Sequence, residues 1–448
     1  MKAPYSDHTT PLPPAFISLF KILPYYLCLH LCLSLPVAMS AEASFWEDWE
    51  FTGFGTLGYA QSDKYSDLIL KRNVIQRSQE VEEKGWLVDS RLGLQLRKEW
   101  RHNWDLVGQV VAQEKTRNTL ENSIEMAFIR YHAHQAWSFQ LGRMVLDIFQ
   151  LSDHRNVGYS YHWVRPPTEF YGWIPFSHFD GLKSSFEISN FDSLLRLEAY
   201  VGTTKSTLNI SYSQGGSSYN SAEAEPTLGI VAYWEKGDLT LRANVTRFRI
   251  TEDIEAVEEL SAYVSDPTIQ TYWPEASQIT QDYSLEGASF SYTSLGFSWS
   301  PSSWAIQGEV SDIDSDSFGT YDGQRAYLQL GHRFGTLLPH ITYSRSWDYR
   351  DYPYDAAPAT PTNVLPAGTL EALEVILKDN RYSGIVNQYT ISLGVRWDFA
   401  SQKVLKFQCD RTTVYDGSLG IFPTPESAPR NWQEDVRTWC STTLDWIF

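Results

Sequence analysis

Beyond residue 40 the chain lacks any apolar run of the roughly 20 residues that a membrane-crossing helix needs, so a helical membrane protein is excluded. A protein that crosses on strands is not, because such strands alternate and stay only weakly hydrophobic. Basic residues are scarce, 36 Lys and Arg against 54 Asp and Glu, which argues against a nucleic-acid partner. Between Ile250 and Gln324 there is no Lys or Arg at all, yet fourteen acids. Cysteine is nearly absent: of four, Cys28 and Cys32 lie in the N-terminal stretch, leaving Cys409 and Cys440. No G-x-S-x-G nucleophile motif occurs. What the chain does have is aromatic residues, 15% of the total, at modest overall hydrophobicity.

The N-terminal 40 residues read as a secretory signal. Lys21 precedes an apolar stretch, 22–35, broken by Pro24 and His30, and Ala38 and Ser40 supply small residues at a cleavage site. The residues before Lys21 are long for a signal, which suggests a start further downstream. Residues 41–448 are then the expected mature chain, with 34 basic against 53 acidic side chains. In an exported protein Cys409 and Cys440 can oxidise.

Period-two alternation marks sixteen segments. They lie near 49–60, 85–99, 104–114, 122–134, 137–147, 181–190, 193–203, 226–236, 238–249, 287–300, 303–313, 323–335, 337–348, 385–399, 402–413 and 435–448. The connections between them alternate long and short. Tight turns fall at 101–103, 135–136, 191–192, Gly237, 301–302, 335–336 and 400–401. The opposite ends carry 61–84, 115–121, 148–180, 204–225, 250–286, 314–322, 349–384 and 414–434. A sandwich or propeller has no reason to keep that alternation. A transmembrane antiparallel β-barrel of about sixteen strands, with periplasmic turns, extracellular loops and both termini periplasmic, requires it.

The faces agree. In the last segment Val436, Thr438, Cys440, Thr442, Leu444, Trp446 and Phe448 share one side, and Arg437, Ser441, Thr443 and Asp445 the other. In the second, Leu92, Leu94 and Leu96 oppose Arg91, Gln95 and Arg97. The reverse register would put arginine into lipid at about 2–4 kcal/mol each near the midplane. Arg196, Glu198, Arg242, Asn244, Arg325, Gln329, Arg333, Arg396 and Lys406 point inward by the same argument. Two segments fit poorly: the third has Val107 and Val111 on its polar face, and the tenth changes phase between Tyr292 and Leu295, which predicts a bulge near Thr293.

Three stretches resemble sixteen-stranded Gram-negative outer-membrane porins. The terminal Thr443-Leu444-Asp445-Trp446-Ile447-Phe448 is similar to the closing strand of Gram-negative outer-membrane proteins, which implies recognition by the barrel assembly machinery. Phe51-Thr52-Gly53-Phe54-Gly55-Thr56-Leu57-Gly58-Tyr59 resembles the porins' first strand. Asn156 to Tyr159, with Trp163-Val164-Arg165-Pro166-Pro167 and Glu169-Phe170-Tyr171, resembles a loop of proteobacterial members. The resemblance implies a porin and a homotrimer, though monomeric porins exist, without assigning a cargo; passive diffusion needs no cofactor.

Segment 148–180 is the leading functional candidate. It holds nine aromatics, too many for a loop in water. Like the third loop of porins, it is expected to fold inward and narrow the channel, with Asp153, Arg155, Tyr161, Trp163, Arg165, Glu169 and Trp173 at the constriction. The alternative is packing on top of the barrel or against a neighbouring subunit. Asp147 and Asp180 add negative charge. Arg91, Arg97, Arg196, Arg242, Arg325, Arg333 and Arg396 would form a basic wall, unless they pair with Glu125, Glu198, Glu309 or Asp398 and merely fill the lumen.

Other features carry less. Ile254, Val257, Leu260 and Val264, and Leu370, Leu373 and Leu377, have helical spacing and predict short helices at the rim. The acidic mouth could meet divalent ions along with lipopolysaccharide, or be an ordinary solvated surface. Cys409 and Cys440 face outward at similar heights and are candidates for a cross-strand disulfide. His132 and His134 share one face but lack a third metal ligand. Asp153-His154, Glu169 and His178-Phe179-Asp180 are only nominal acid–base groups. The leading function is passive diffusion of small polar solutes or ions. The alternatives are a substrate-specific channel with an aromatic slide of Tyr161, Trp163 and Trp173, or a plugged barrel whose loops attach to surfaces.

Overall fold

The computed structural model describes residues 48–62, 71–76, 84–101, 103–190, 192–211, 217–253, 255–319, 322–348, 356–383, 385–418, 420–421 and 434–448. The candidate signal, 1–40, lies outside them. Alternation lets each strand turn apolar side chains to lipid and polar ones to the lumen, and neighbours pair accordingly. In chain order the strands are β1 (Trp49–Ser62), β2 (Lys84–Gly85), β3 (Arg91–Trp100), β4 (Trp104–Gln113), β5 (Ile124–His134), β6 (Trp137–Val145), β7 (His178–Asn190), β8 (Ser193–Ser211) and β9 (Ser217–Lys236). They continue as β10 (Leu239–Ile250), β11 (Ser289–Trp299), β12 (Trp304–Ser315), β13 (Gly323–His332), β14 (Leu337–Asp348), β15 (Gln388–Ala400), β16 (Lys403–Val414) and β17 (Asp435–Ile447). The two-residue β2 only caps the upper end of β1. The other sixteen form a closed antiparallel barrel, with β1 bonded to β17 on one side and to β3 on the other.

All sixteen predicted segments are strands. Left-handed residues mark the tight turns at Arg101, Gly237, Ser302, Gly335 and Gln402. The register places Leu94, Leu141, Ile230, Leu295 and Leu393 outward, each at least half exposed, and buries Arg91, Arg242, Arg325, Arg396 and Lys406 within. Cys409 stands directly opposite Cys440 across β16 and β17, and the two are bonded as a disulfide.

Two expectations need correction. Pairing runs without interruption through Thr293, which faces Val245 on one side and Asp312 on the other. There is no bulge in β11: Phe290 and Tyr292 simply point inward and are buried there. Segment 204–225 is not a loop for most of its length. β8 and β9 stay paired from Ser193↔Lys236 to Ser211↔Ser217, with one register shift after Gly202, and so form an extended hairpin. Runs of Thr, Ser and Asn read as loop in sequence, but cross-strand backbone bonds hold them as strand.

The predicted rim helices are present as Glu255–Val264 and Thr369–Ser383, joined by Pro267–Tyr272 and Glu275–Tyr283. They share one apolar core, in which Val264, Ile279, Leu370 and Leu377 are wholly buried. Ile254 lies outside the described residues.

Leu141 lies at the centre of β6 and is 64% exposed on the outer face. Leu141→Arg should cost about 2–4 kcal/mol, read from urea unfolding in phospholipid vesicles. A loss under about 1 kcal/mol would place this side chain away from lipid.

Candidate functional site

Segment 148–180 enters the barrel because its aromatics find aromatic partners on the inner wall. Phe149, Phe170, Trp173, Phe176 and Phe179 pack with Tyr200, Phe248, Phe290, Tyr292 and Tyr327. Phe176 stacks on Phe248 at 5.5 Å, Phe179 on Tyr200 at 4.9 Å, and Phe149 meets Tyr292 edge-on at 5.9 Å. Each buried aromatic is worth roughly 1.5–3 kcal/mol. The inward Tyr292 that breaks the polar pattern of β11 is therefore part of the loop's seat. Val111 is likewise buried, and Val107 packs at the edge of this core.

A loop backbone inside a barrel must still satisfy its polar groups. Wall cations and Glu309 satisfy backbone groups of the loop, and Asp147 and Glu169 add side-chain bonds to the wall. Asp147 pairs with Arg242 at 2.9 Å and accepts from the Tyr233 hydroxyl at 2.9 Å. Glu309, on β12, accepts from the Gln150 amide and the Tyr327 hydroxyl, each at 2.9 Å, and from Tyr171. Glu169 accepts from Ser344 and Gln388, each at 2.6 Å, and from Thr390. The indole of Trp163 donates to Thr342 at 2.8 Å, and the Val164 amide to Gln408 at 2.9 Å. Arg165 pairs with Asp89 at 2.6 Å. At the loop's tip Gly158 is pressed against Asp445, Thr56 and Arg91, so that no side chain fits there.

The constriction residues therefore divide. Tyr161, Trp163, Arg165, Glu169 and Trp173 are at most 2% exposed, so they anchor the loop and do not line open space. An aromatic slide built on Tyr161, Trp163 and Trp173 is ruled out by the same burial. Arg155 reaches Glu125 at 3.7 Å. Asp153 borders an open cavity, and Arg155 is partly exposed.

The basic wall divides too. Arg91 donates to the Asn156 carbonyl at 2.5 Å, Arg242 to that of Asp147 at 2.8 Å, and Arg396 to that of Tyr159 at 2.6 Å. Arg325 lies over the Trp173 ring at 5.1 Å. Arg333 joins Arg396 on Asp398, at 2.6 and 2.8 Å. Arg97 and Arg196 border the remaining cavity, and Arg333 stays partly exposed.

That space is a cavity of about 520 Å³ between the loop and the β3–β8 wall. Its charged lining includes Arg97, Arg130, Lys183 and Arg196, with Asp153 and Glu198. Arg130 and Lys183 were legible from alternation, since Ile129 and Leu182 beside them face lipid. A second missed element is 71–76, from the first long loop. Arg72 donates to the Arg155 carbonyl at 2.5 Å, and the Val74 amide to Gly172 at 2.8 Å. Nothing in its composition marks it as an inward segment.

Of the nominal acid–base and metal-ligand groups, Glu169, His178, Asp180 and His132 are held by partners among the described residues, and Asp153 is not. His132 bonds Asp105 at 2.9 Å, Asp180 pairs with Arg143 at 2.8 Å, and His178 with Ser177 at 3.0 Å. Among the described residues no three potential ligands gather to hold a metal.

A closed sixteen-strand antiparallel barrel is the fold of solved general porins. OmpF of Salmonella typhi, in complex with daunomycin, aligns over 89% of this chain and 97% of its own, at 10% identity and a TM-score of 0.50. The anion-selective porin of Comamonas acidovorans aligns over 89% and 99%, at 11% identity and 0.48. OmpT of Vibrio cholerae aligns over 92% and 99%, at 9% identity and 0.47. At such identities the likeness is one of fold. No family model and no curated protein matches the sequence.

Glu169 gathers three wall donors; its loss leaves the Ser344 hydroxyl and the Gln388 amide without their acceptor, while Thr390 keeps Thr412. Glu169→Ala should lower the unfolding free energy by at least about 2 kcal/mol and expose 156–176 to added protease. An unchanged urea midpoint with a protected loop would show that this carboxyl is no anchor.

Proposed function

We propose that the chain is an outer-membrane porin through which small polar solutes and ions diffuse passively. The observation that carries this reading is the asymmetry of the lumen. The loop is fastened to the wall from β10 round to β3, while the space along β3–β8 stays open and charged on both sides. Lys183 and Arg196 stand on the wall, Asp153 on the loop, so a solute would pass between opposite charges, which set ion preference in a narrow pore. Both termini would lie in the periplasm, the last strand would be read by the assembly machinery, and three chains would associate in a membrane faced by lipopolysaccharide.

The breadth of the loop's anchoring favours a second reading, a barrel shut at rest. Single-channel recording separates the two. Stable conductance steps in a planar bilayer are expected, and deletion of 156–176 should enlarge them. Silence from a folded wild-type barrel, with steps only after the deletion, would favour the shut form.

Selectivity should depend on pH. Seclusion inside the lumen pushes the Asp153 carboxyl above the usual carboxylate range, and Asp147 adds to this, while Lys183, Arg196 and Arg242 pull against it. As the pH falls through that raised value the carboxyl takes up a proton and the lumen loses a negative charge. Cation preference, read from reversal potentials in a salt gradient, should therefore fall from a pH above the ordinary range of about 4. Asp153→Asn should remove that step.

A further inference from the structure

The open cavity has an unusual wall. A lumen filled only with water gains nothing from apolar side chains, yet Val107, Met126, Phe128 and Met144 border this space on β4, β5 and β6. Phe128 and Met144 also belong to the loop's core, but Val107 and Met126 sit at its edge, partly exposed. The charges nearby are unequally engaged. Arg97, Arg130 and His132 all converge on Asp105, at 3.5, 3.7 and 2.9 Å. Lys183 and Arg196 share one carboxylate, Glu198, at 3.0 and 3.4 Å, and Glu187 stands opposite Arg196 on the same wall. Opposite them Asp153 borders the same space inside the lumen and makes no hydrogen bond or close ion pair with the described residues.

From this combination we infer that the cavity is a subsite for zwitterionic solutes bearing an apolar group, of which apolar amino acids are the simplest. The ammonium would meet Asp153, the carboxylate Lys183 and Arg196, and the side chain the Val107 and Met126 surface. The cavity, about 520 Å³, is in the range of small-ligand sites. The inference deepens the channel reading and rests on it.

The test is calorimetric titration of the refolded full-length barrel in detergent at pH 8. The probes are phenylalanine, glycine, phenylalanine amide and phenylpropionate. Phenylalanine should bind about tenfold or more tighter than each of the others, because each lacks one of the three matched groups. Asp153→Asn should abolish its advantage over phenylpropionate, and Met126→Ser should shrink its advantage over glycine. Equal binding of phenylalanine and glycine, or no binding of either, would overturn the inference, as would an Asp153→Asn barrel that still prefers phenylalanine to phenylpropionate. Bilayer conductance of the same preparation keeps the two readings apart. Steps without phenylalanine binding sink the subsite and leave the porin; binding without steps sustains the subsite and sinks the open channel.

Discussion

The structure hangs on the bonds between the third loop's backbone and the wall's cations. A peptide carbonyl taken out of water and left unpaired costs more than a made hydrogen bond returns. Lys406 donates to Trp163, Arg396 to Tyr159 and Tyr161, Arg242 to Asp147 and Ile148, and Arg91 to Asn156. With those carbonyls satisfied, the aromatic side chains can pack on the wall. The same bonds use up charge that would otherwise line the lumen, and the charges that still border open space lie on the β3–β8 side.

The closing seam is fitted on both faces. Outside, Trp446 lies over Gly55 and Phe448 over Gly53, where any side chain would collide with the rings. Inside, the Asp445 carboxylate accepts from Thr56 at 2.6 Å and pairs with Lys406 at 3.1 Å, and Gly158 rests against it. The loop tip thus touches the first, third and last strands together. The disulfide ties the last strand to its other neighbour.

The strands were legible because period two leaves a mark at every position: Leu94 between Gln95 and Gly93, or Leu182 beside Lys183, states its face without reference to any other strand. The loop's entry was legible from its aromatic excess. The roles inside it were not. Trp163 and Glu169 look like channel-lining groups in sequence, yet their partners, Thr342 and Ser344, lie more than 170 residues away. Alternation shows that Arg242 and Arg196 both point inward. It does not show that one meets a carbonyl and the other open space.

The sequence by itself determined the strand count, the register, the lipid-facing surface and the presence of an apolar third loop, since these follow from local periodicity and composition. Tertiary structure alone decided which inward charges are spent on anchoring, how 71–76 joins the third loop, and on which side the lumen stays open. Those outcomes depend on which distant backbone groups must be satisfied once the barrel closes, and no local pattern encodes that.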